Sequence, residues 1–309
     1  MSQLITLGGK LVGVGGQAVN LPHLADQADF TNVWDMRDTV VEDGRAVYVE
    51  DPIGHRPMRT MPGTFALLGA TPLEPLPGPL YIPSSAMFNG HPAVFCDHQP
   101  QYTGSFFGDL FSALSPNTNA DGTQGIDDPP GDSAVYFNAP HGYPPPYWVA
   151  VLGRLALADD PLTDPDTGSS GVWDATHGGG GTGPTVGRLI VGLGGNNWQF
   201  SNFGPGLVLI TTSHVATVNE TVLLIICVNG ASSFMEVNWR SSAGVLMTTR
   251  ATGPMNNWNF LECFIGWVHG PRLAGAAIRR GFPDEDEIDQ VRHWGSYFIP
   301  PAGALPDEP

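Results

Sequence analysis

Basic residues are scarce in this chain: lysine occurs once, as Lys10, and 13 bases against 30 acids leave a formal net charge of -17. A surface so acidic repels phosphate backbones and anionic lipid, so a nucleic-acid partner is excluded. Cysteine is almost as rare. Cys96, Cys227 and Cys263 are widely spaced, and each lies in an apolar, strand-like run. An odd count without Cys-x-x-Cys spacing favours buried reduced thiols over a disulfide framework or a zinc site, as fits synthesis in a reducing cytoplasm. No run approaches the roughly 18 apolar residues needed to cross a bilayer, so membrane insertion is not expected. The N-terminus lacks the positive start and continuous apolar stretch of a secretory signal, and the expectation is a soluble protein made in the cytoplasm.

Catalytic signatures are missing as well. Concanavalin-type glucanases carry Glu-x-Asp-x-x-Glu on one strand, where alternation puts the carboxylates on one face. No strand here has that pattern, Gly-x-Ser-x-Gly is absent, and His214 stands alone at a strand end. The Gly178–Gly183 run is followed by no Lys-Ser/Thr and is read as a flexible loop rather than a phosphate cradle. No catalytic residue and no cofactor are expected. The carboxylates of Asp159–Gly168 offer calcium a turn of oxygen ligands, but without the spacing of a dedicated calcium loop.

What the sequence does have is β-rich runs separated by Gly, Asn and Pro. Tyr147–Ala156, Arg188–Leu193, Leu207–Thr212, Thr221–Val228, Phe234–Trp239, Gly244–Thr249 and Phe260–His269 are of strand length and rich in β-branched and aromatic residues. Asn229-Gly230 between two of them signals a hairpin. The Pro-rich stretch 71–83 reads as an extended connection unable to hold a ladder. Ser115–Asp132 and Ala158–Pro184 read as long loops, the places where binding surfaces are built. One helix is expected, from Asp284 to Trp294. Asp284 and Glu287 have capping-box spacing, Ile288, Val291 and Trp294 fall on one face, and Gly295 is expected to end it.

Several of these segments resemble the LamG-like, concanavalin A-type jelly roll. The resemblance is carried by Asn32-Val-Trp-Asp35, by Ala46–Gly54 with its Asp-x-x-Gly turn, and by Asn89-Gly-His-Pro-Ala-Val-Phe-Cys-Asp97, where Cys96 follows Phe95 directly. A last core strand running into the short helix within Arg280–Tyr297 completes it. It implies an all-β jelly-roll sandwich over residues 21–299, with an N-terminal docking arm at 1–20 and a Pro-rich tail at 300–309.

The arm is apolar through Leu4, Ile5, Leu7, Leu11, Val12 and Val14, side chains costly to leave in water. Its Gly-Lys-Leu-Val start is similar to minor tail proteins of tailed phages that infect actinobacteria. That resemblance implies a non-enzymatic virion component, docked on other tail proteins and assembled in the host cytoplasm, with a trimer as the implied oligomer and a head decoration or fibre protein as a variant. Contact with host surface glycan would use tryptophans beside side-chain amides at glycine turns. The candidates are Trp173 and Asp174; Asn196, Asn197, Trp198 and Asn202; and Asn256, Asn257 and Trp258. Two rivals remain, a free-standing glycan-binding module and a concanavalin-type glycoside hydrolase. A pair of strand-borne carboxylates about 5–9 Å apart on a groove would favour the hydrolase.

Overall fold

The computed structural model describes residues 21–60, 78–96, 114–116, 146–154, 208–216, 220–255 and 272–301, together with strand segments within 5–19, 171–203 and 259–268. In 5–19, 171–194, 201–208 and 259–268 it is the backbone that is described.

The chain is all-β with one helix. Strands β1 (Ile5–Leu7), β2 (Lys10–Val12) and β3 (Ala18–Val19) form a small antiparallel sheet of their own. The main body begins with β4 (Asn32–Asp35), β5 (Thr39–Glu42), β6 (Arg45–Val49), β7 (Met58–Thr60), β8 (Leu80–Ile82), β9 (Ala93–Phe95) and β10 (Leu114–Ser115). Longer strands follow: β11 (Tyr147–Arg154), β12 (Gly171–Gly178), β13 (Val186–Gly194), β14 (Asn197–Phe203) and β15 (Val208–Val215). The last are β16 (Thr221–Val228), β17 (Ser233–Arg240), β18 (Leu246–Gly253), β19 (Asn259–Val268) and β20 (Arg272–Arg280), before helix α1 (Glu285–Phe298).

Their ladders form two layers. In the first, β20 pairs with β4 and β9 on one side and β11 on the other, and β11 continues through β16 and β17 to β18. In the second, β10, β19, β12, β13, β14 and β15 pair in that order. The short strands β6 to β9 link the two. Strand alternation divides the first layer's side chains between two cores. Val149, Val151, Val222, Leu224 and Ile226 meet Trp198, Phe200 and Ile210 between the layers. Trp148, Ala150, Leu152, Leu223, Ile225 and Cys227 face the other way, onto Ile288, Val291, Trp294 and Phe298 of α1. Both faces of β11 and β16 are therefore covered, which is why these strands read as unbroken apolar runs. Cys96 and Cys227 are buried and not disulfide-bonded, and burial pushes the Cys227 thiol up to about 12, as suits an inert core residue.

Several sequence expectations need correction. The capping box forms in full, Asp284 accepting from Glu287 N and Glu287 from Asp284 N, but α1 does not stop at Gly295. It runs on to Phe298, and a Cβ at Gly295 would lie 2.7 Å from Leu223 Cδ2. This glycine is a contact point with the sheet, and the helix ends where Ile299, extended ahead of Pro300, leaves it. Within the expected loop Ala158–Pro184 lies an eight-residue strand, β12. The Pro-rich 71–83 stretch ends in β8, which pairs with β9 over Leu80–Ile82 and with β6 at Leu80, where the Pro79 carbonyl accepts from Ala46 N. Strand β20 went unpredicted because Arg-Leu-Ala-Gly-Ala-Ala-Ile-Arg-Arg is poor in β formers. Its small residues are needed where they stand: a Cβ at Gly275 would meet Trp294 at 3.3 Å, Leu24 at 3.4 Å and the Trp34 carbonyl at 3.5 Å.

These contacts make two variants informative. Trp294→Ala leaves a large void under the helix and is expected to cost about 3–5 kcal/mol. Gly295→Val, which places a branched side chain against Leu223, is expected to cost about 1–3 kcal/mol. Urea unfolding of each against the parent checks both; an unchanged midpoint for Gly295→Val would mean that the helix does not rest on β16 as described.

Candidate functional site

The outer face of the second layer is where the ladders collect groups capable of chemistry. On β14, Trp198 and Phe200 are buried between the layers, so Asn197, Gln199 and Ser201 take the opposite, outward parity. On β15, Ile210 is buried while Leu209 and Thr211 are exposed, and these pair with Ser201 and Gln199. The face is thus open at this side of the sheet. Carried inward along the registers, the same parity falls on Gly192, Ile190 and Arg188 of β13, then on Asp174 and Thr176 of β12. On β19 it falls on Phe264 and Glu262.

Two rows cross the sheet here. Phe264, Asp174, Ile190 and Ser201 form one, and Glu262, Thr176 and Arg188 form the next. Asp174 and Glu262 are consequently diagonal neighbours on adjacent antiparallel strands, positions typically about 7–8 Å apart. The register irregularities of β12 fall before Trp173 and after Thr176, outside the segment that sets this relation. The register thus gives two acidic positions on one face of the sheet at the diagonal spacing of neighbouring strands.

The described residues expected to bind glycan divide between the two faces of the sheet. Trp198 is 1% exposed and belongs to the core, because β14 already alternates at Asn197 and no turn isolates this tryptophan. Trp173 pairs with Val191 and Ile265 and has the inward parity. Asn202, opposite Leu189 and Val208, has it too. Asn197 is outward, but its amide donates to the carbonyls of Thr212 and His214 at 3.2 Å each and secures the bulge in β15. Among the described residues of that set, Asp174 and Asn197 have register positions on the face described. Asn196, Asn256, Asn257 and Trp258 lie outside the described residues, as do Leu4 and Val14 of the arm and the Asp159–Gly168 calcium candidate. Ile5, Leu7, Leu11 and Val12 lie on the backbone of β1 and β2. Glu262 was missed because it sits in Phe-Leu-Glu-Cys-Phe-Ile, which reads as buried.

The other acidic clusters are braces. Asp51 accepts from Asn32 Nδ2 and from the backbone N–H of Val33, Ile53, Gly54 and Arg56, at 2.7–3.3 Å, tying the Asp-x-x-Gly turn to β4. Burial nonetheless pushes its carboxyl above the usual range. Glu236 accepts from Arg292 Nε at 2.7 Å and Arg250 Nε at 2.9 Å, linking β17 and β18 to α1. His214 Nε2 is 2.8 Å from Glu220 Oε2, with its ring stacked on Trp239 at 3.7 Å. Both partners are largely enclosed, with side chains 9% and 5% exposed, so this pair has no open side for substrate. Among the described residues no cluster of three or more His, Cys, Asp or Glu could hold a metal ion.

Asp35 is the most constrained of these. Arg37 donates to it through Nε at 3.0 Å and Nη2 at 2.6 Å, and His91 Nε2 lies 3.1 Å away. Burial opposes ionisation, but the His91 and Arg37 contacts prevail and hold the carboxyl far below the ordinary aspartate range. A depressed folded-state pKa contributes stability in full above the unfolded value of about 3.9, and that stability is lost as pH falls through and below it. Asp35→Asn should therefore destabilise by about 1.5–3 kcal/mol at pH 7, by removing the charge to which Arg37 donates, and should flatten the acid side of the stability curve. Urea melts of parent and variant at neutral pH and near pH 3 check this; parallel curves would show that Asp35 does not carry the acid sensitivity.

No protein-family model matches this sequence. No curated protein matches it either. Among solved structures, a sialidase from Trypanosoma rangeli with bound sialic acid is similar at TM-score 0.42 and 9% identity, over 92% of this chain and 35% of the sialidase. An arabinofuranosidase complexed with arabinofuranosyl-xylobiose is similar at TM-score 0.49 and 9% identity, over 86% of this chain and 53% of that one. Domain 4 of an extracellular arabinanase from Geobacillus stearothermophilus, with arabinotriose, gives TM-score 0.41 and 10% identity over 86% of this chain and 98% of that domain. This chain thus spans about a third of the sialidase and about half of the arabinofuranosidase. These are likenesses of β architecture, and no residue role is transferred from them. They correct the expectation of a phage tail component: the structures reported are glycosidases and an arabinanase domain, not virion proteins, and the virion reading is withdrawn.

Proposed function

We propose that this chain is a carbohydrate-active β-sandwich that hydrolyses glycosidic bonds on the outer face of its second layer, with Asp174 and Glu262 as the working carboxylates. The observation that carries this reading is the ladder register, which sets the two acids diagonally on β12 and β19 with the parity of the outward Gln199. A non-enzymatic role was expected because no single strand holds two acids at alternating positions. Two neighbouring strands meet the same geometric need, since cross-strand and same-strand neighbours on one face are similarly spaced.

The chemistry needs one carboxyl that protonates the leaving oxygen and one carboxylate that attacks the anomeric carbon or activates water. Gly192 and Gly194 of β13, opposite Gln199 and Asn197, add no side chain to this face. A net charge of -17 favours a neutral glycan over a polyanionic one, so salt should have little effect on its binding.

The test is hydrolysis of a panel of neutral oligosaccharides and nitrophenyl pentosides and hexosides. Asp174→Asn and Glu262→Gln should each lower kcat by about 10²–10⁴-fold, with thermal stability retained. Activity that survives both substitutions, or glycan binding with no turnover by the parent protein, would refute the hydrolase reading.

A further inference from the structure

We propose that two copies of this chain associate about a two-fold axis through the seam where β15 and β18 end the two layers. The inference stands apart from the hydrolase reading. Its first support is the placement of charge. All but two of the 30 acids fall outside residues 175–261. The two inside are Glu220, hydrogen-bonded to His214, and Glu236, held by Arg250 and Arg292, and both are buried. Arg188, Arg240 and Arg250 more than offset them, so the net charge of -17 is carried by the rest of the chain. Strands β13 to β18 all lie within this stretch. The end of the first layer made by β16, β17 and β18, and the end of the second made by β13, β14 and β15, are thus without an exposed acid of their own.

The second support is the geometry of that end. The registers give β15 a ladder partner on one side, β14, and β18 a partner on one side, β17. Thr249 and Ala251 of β18 stand opposite Val237 and Met235, which are buried between the layers, so they face inward and β15 lies over them. Ser213 Oγ is 3.2 Å from Thr249 Oγ1, and a Cβ at Gly253 would lie 3.2 Å from Ile210 Cγ1. The two layers therefore end together, one edge above the other. Among the described residues eight large apolar side chains are exposed, and four of them are here: Leu209 at 44%, Val215 at 53%, Val245 at 56% and Met247 at 41%. Neither strand contains lysine, proline or an acid, the residues that ordinarily keep a sheet edge from pairing. β15 is interrupted by its bulge, whereas β18 stays in register with β17 along its whole length.

These features select the partner. An exposed apolar strip beside open edges marks an association surface. Copies that each carry -17 repel wherever acids face one another, and the seam presents none. A basic partner would be drawn to the acidic remainder of the surface rather than to this strip. An antiparallel pair of like edges is self-complementary about a two-fold axis, so β18 of one copy fits beside β18 of the other. Arg250, the one charge on that strand, is already engaged by Glu236 and Glu285 and brings no unpaired cation to the contact.

Sedimentation equilibrium of the full-length protein tests the proposal. The parent should exchange between monomer and dimer, and the dimer should tighten as salt rises, because salt screens the acidic remainder and leaves the apolar contact intact. Met247→Glu and Val215→Glu, on separate strands, should each raise the dimer Kd by at least about tenfold. Ile53→Glu, at a similarly exposed position on the turn after β6, should leave it unchanged. Hydrogen exchange on the parent gives a readout that needs no variant: the β18 amides should exchange more slowly in the concentrated dimer than after dilution. A parent that stays monomeric at about 100 μM overturns the proposal. So does a dimer that survives both seam substitutions, one that Ile53→Glu disrupts equally, or one whose β18 amides exchange at the monomer rate. Protection of those amides by a neutral oligosaccharide, in a protein that stays monomeric, would give the strip to a sugar instead.

Discussion

Burial of one sheet on both of its faces is the constraint on which the rest of this structure depends. β20, β11 and β16 lie between a second sheet and a helix, so their inward and outward side chains must both be apolar or paired. The helix can lie this close because Gly295 presents no side chain to Leu223 and Gly275 none to Trp294. The first and last ordered strands of the main body meet here, where β4 pairs with β20. Closure of the sandwich therefore waits on the C-terminal strand and helix, contacts of high sequence separation that form late and slowly.

Charge is used sparingly and mostly internally. In a chain that is 14% charged, the described buried acids each answer a local need. Asp51 gathers backbone donors that would otherwise be stranded in a turn, Asp35 neutralises Arg37 beside His91, and Glu236 holds two arginines between strand and helix. Such groups are costly to bury and more costly to break, so they fix geometry rather than add much net stability. Asp174 and Glu262 are set apart from them by register, on the face of the second layer that carries Gln199.

That face owes its rigidity to what lies behind it. Trp198, Phe200 and Ile210 anchor β14 and β15 from within, and Asn197 spends its amide on the bulge between Thr212 and His214. A site built on ladders with a packed core behind them holds its groups more precisely than one on loops. The long loops were the natural place to look from composition; the sheet itself is where the acids are brought together.

The sequence alone determined the all-β class, the extents of β11, β16, β17 and β19 to within a residue or two, and the capping box of α1. Each is a local signal, a run of β-branched side chains or a cap spacing, that needs no partner to be read. It did not disclose β12, β14 or β20, because glycine-, asparagine- and alanine-rich segments become strands here through their neighbours rather than by propensity. It also misplaced Trp198, since tryptophan beside asparagine and glycine looks alike in a turn and at the start of a strand. The pairing of Asp174 with Glu262 was beyond it for a simpler reason. The two lie 88 positions apart, and only the antiparallel register of β12 on β19, fixed by which faces of both strands the core requires, makes them neighbours.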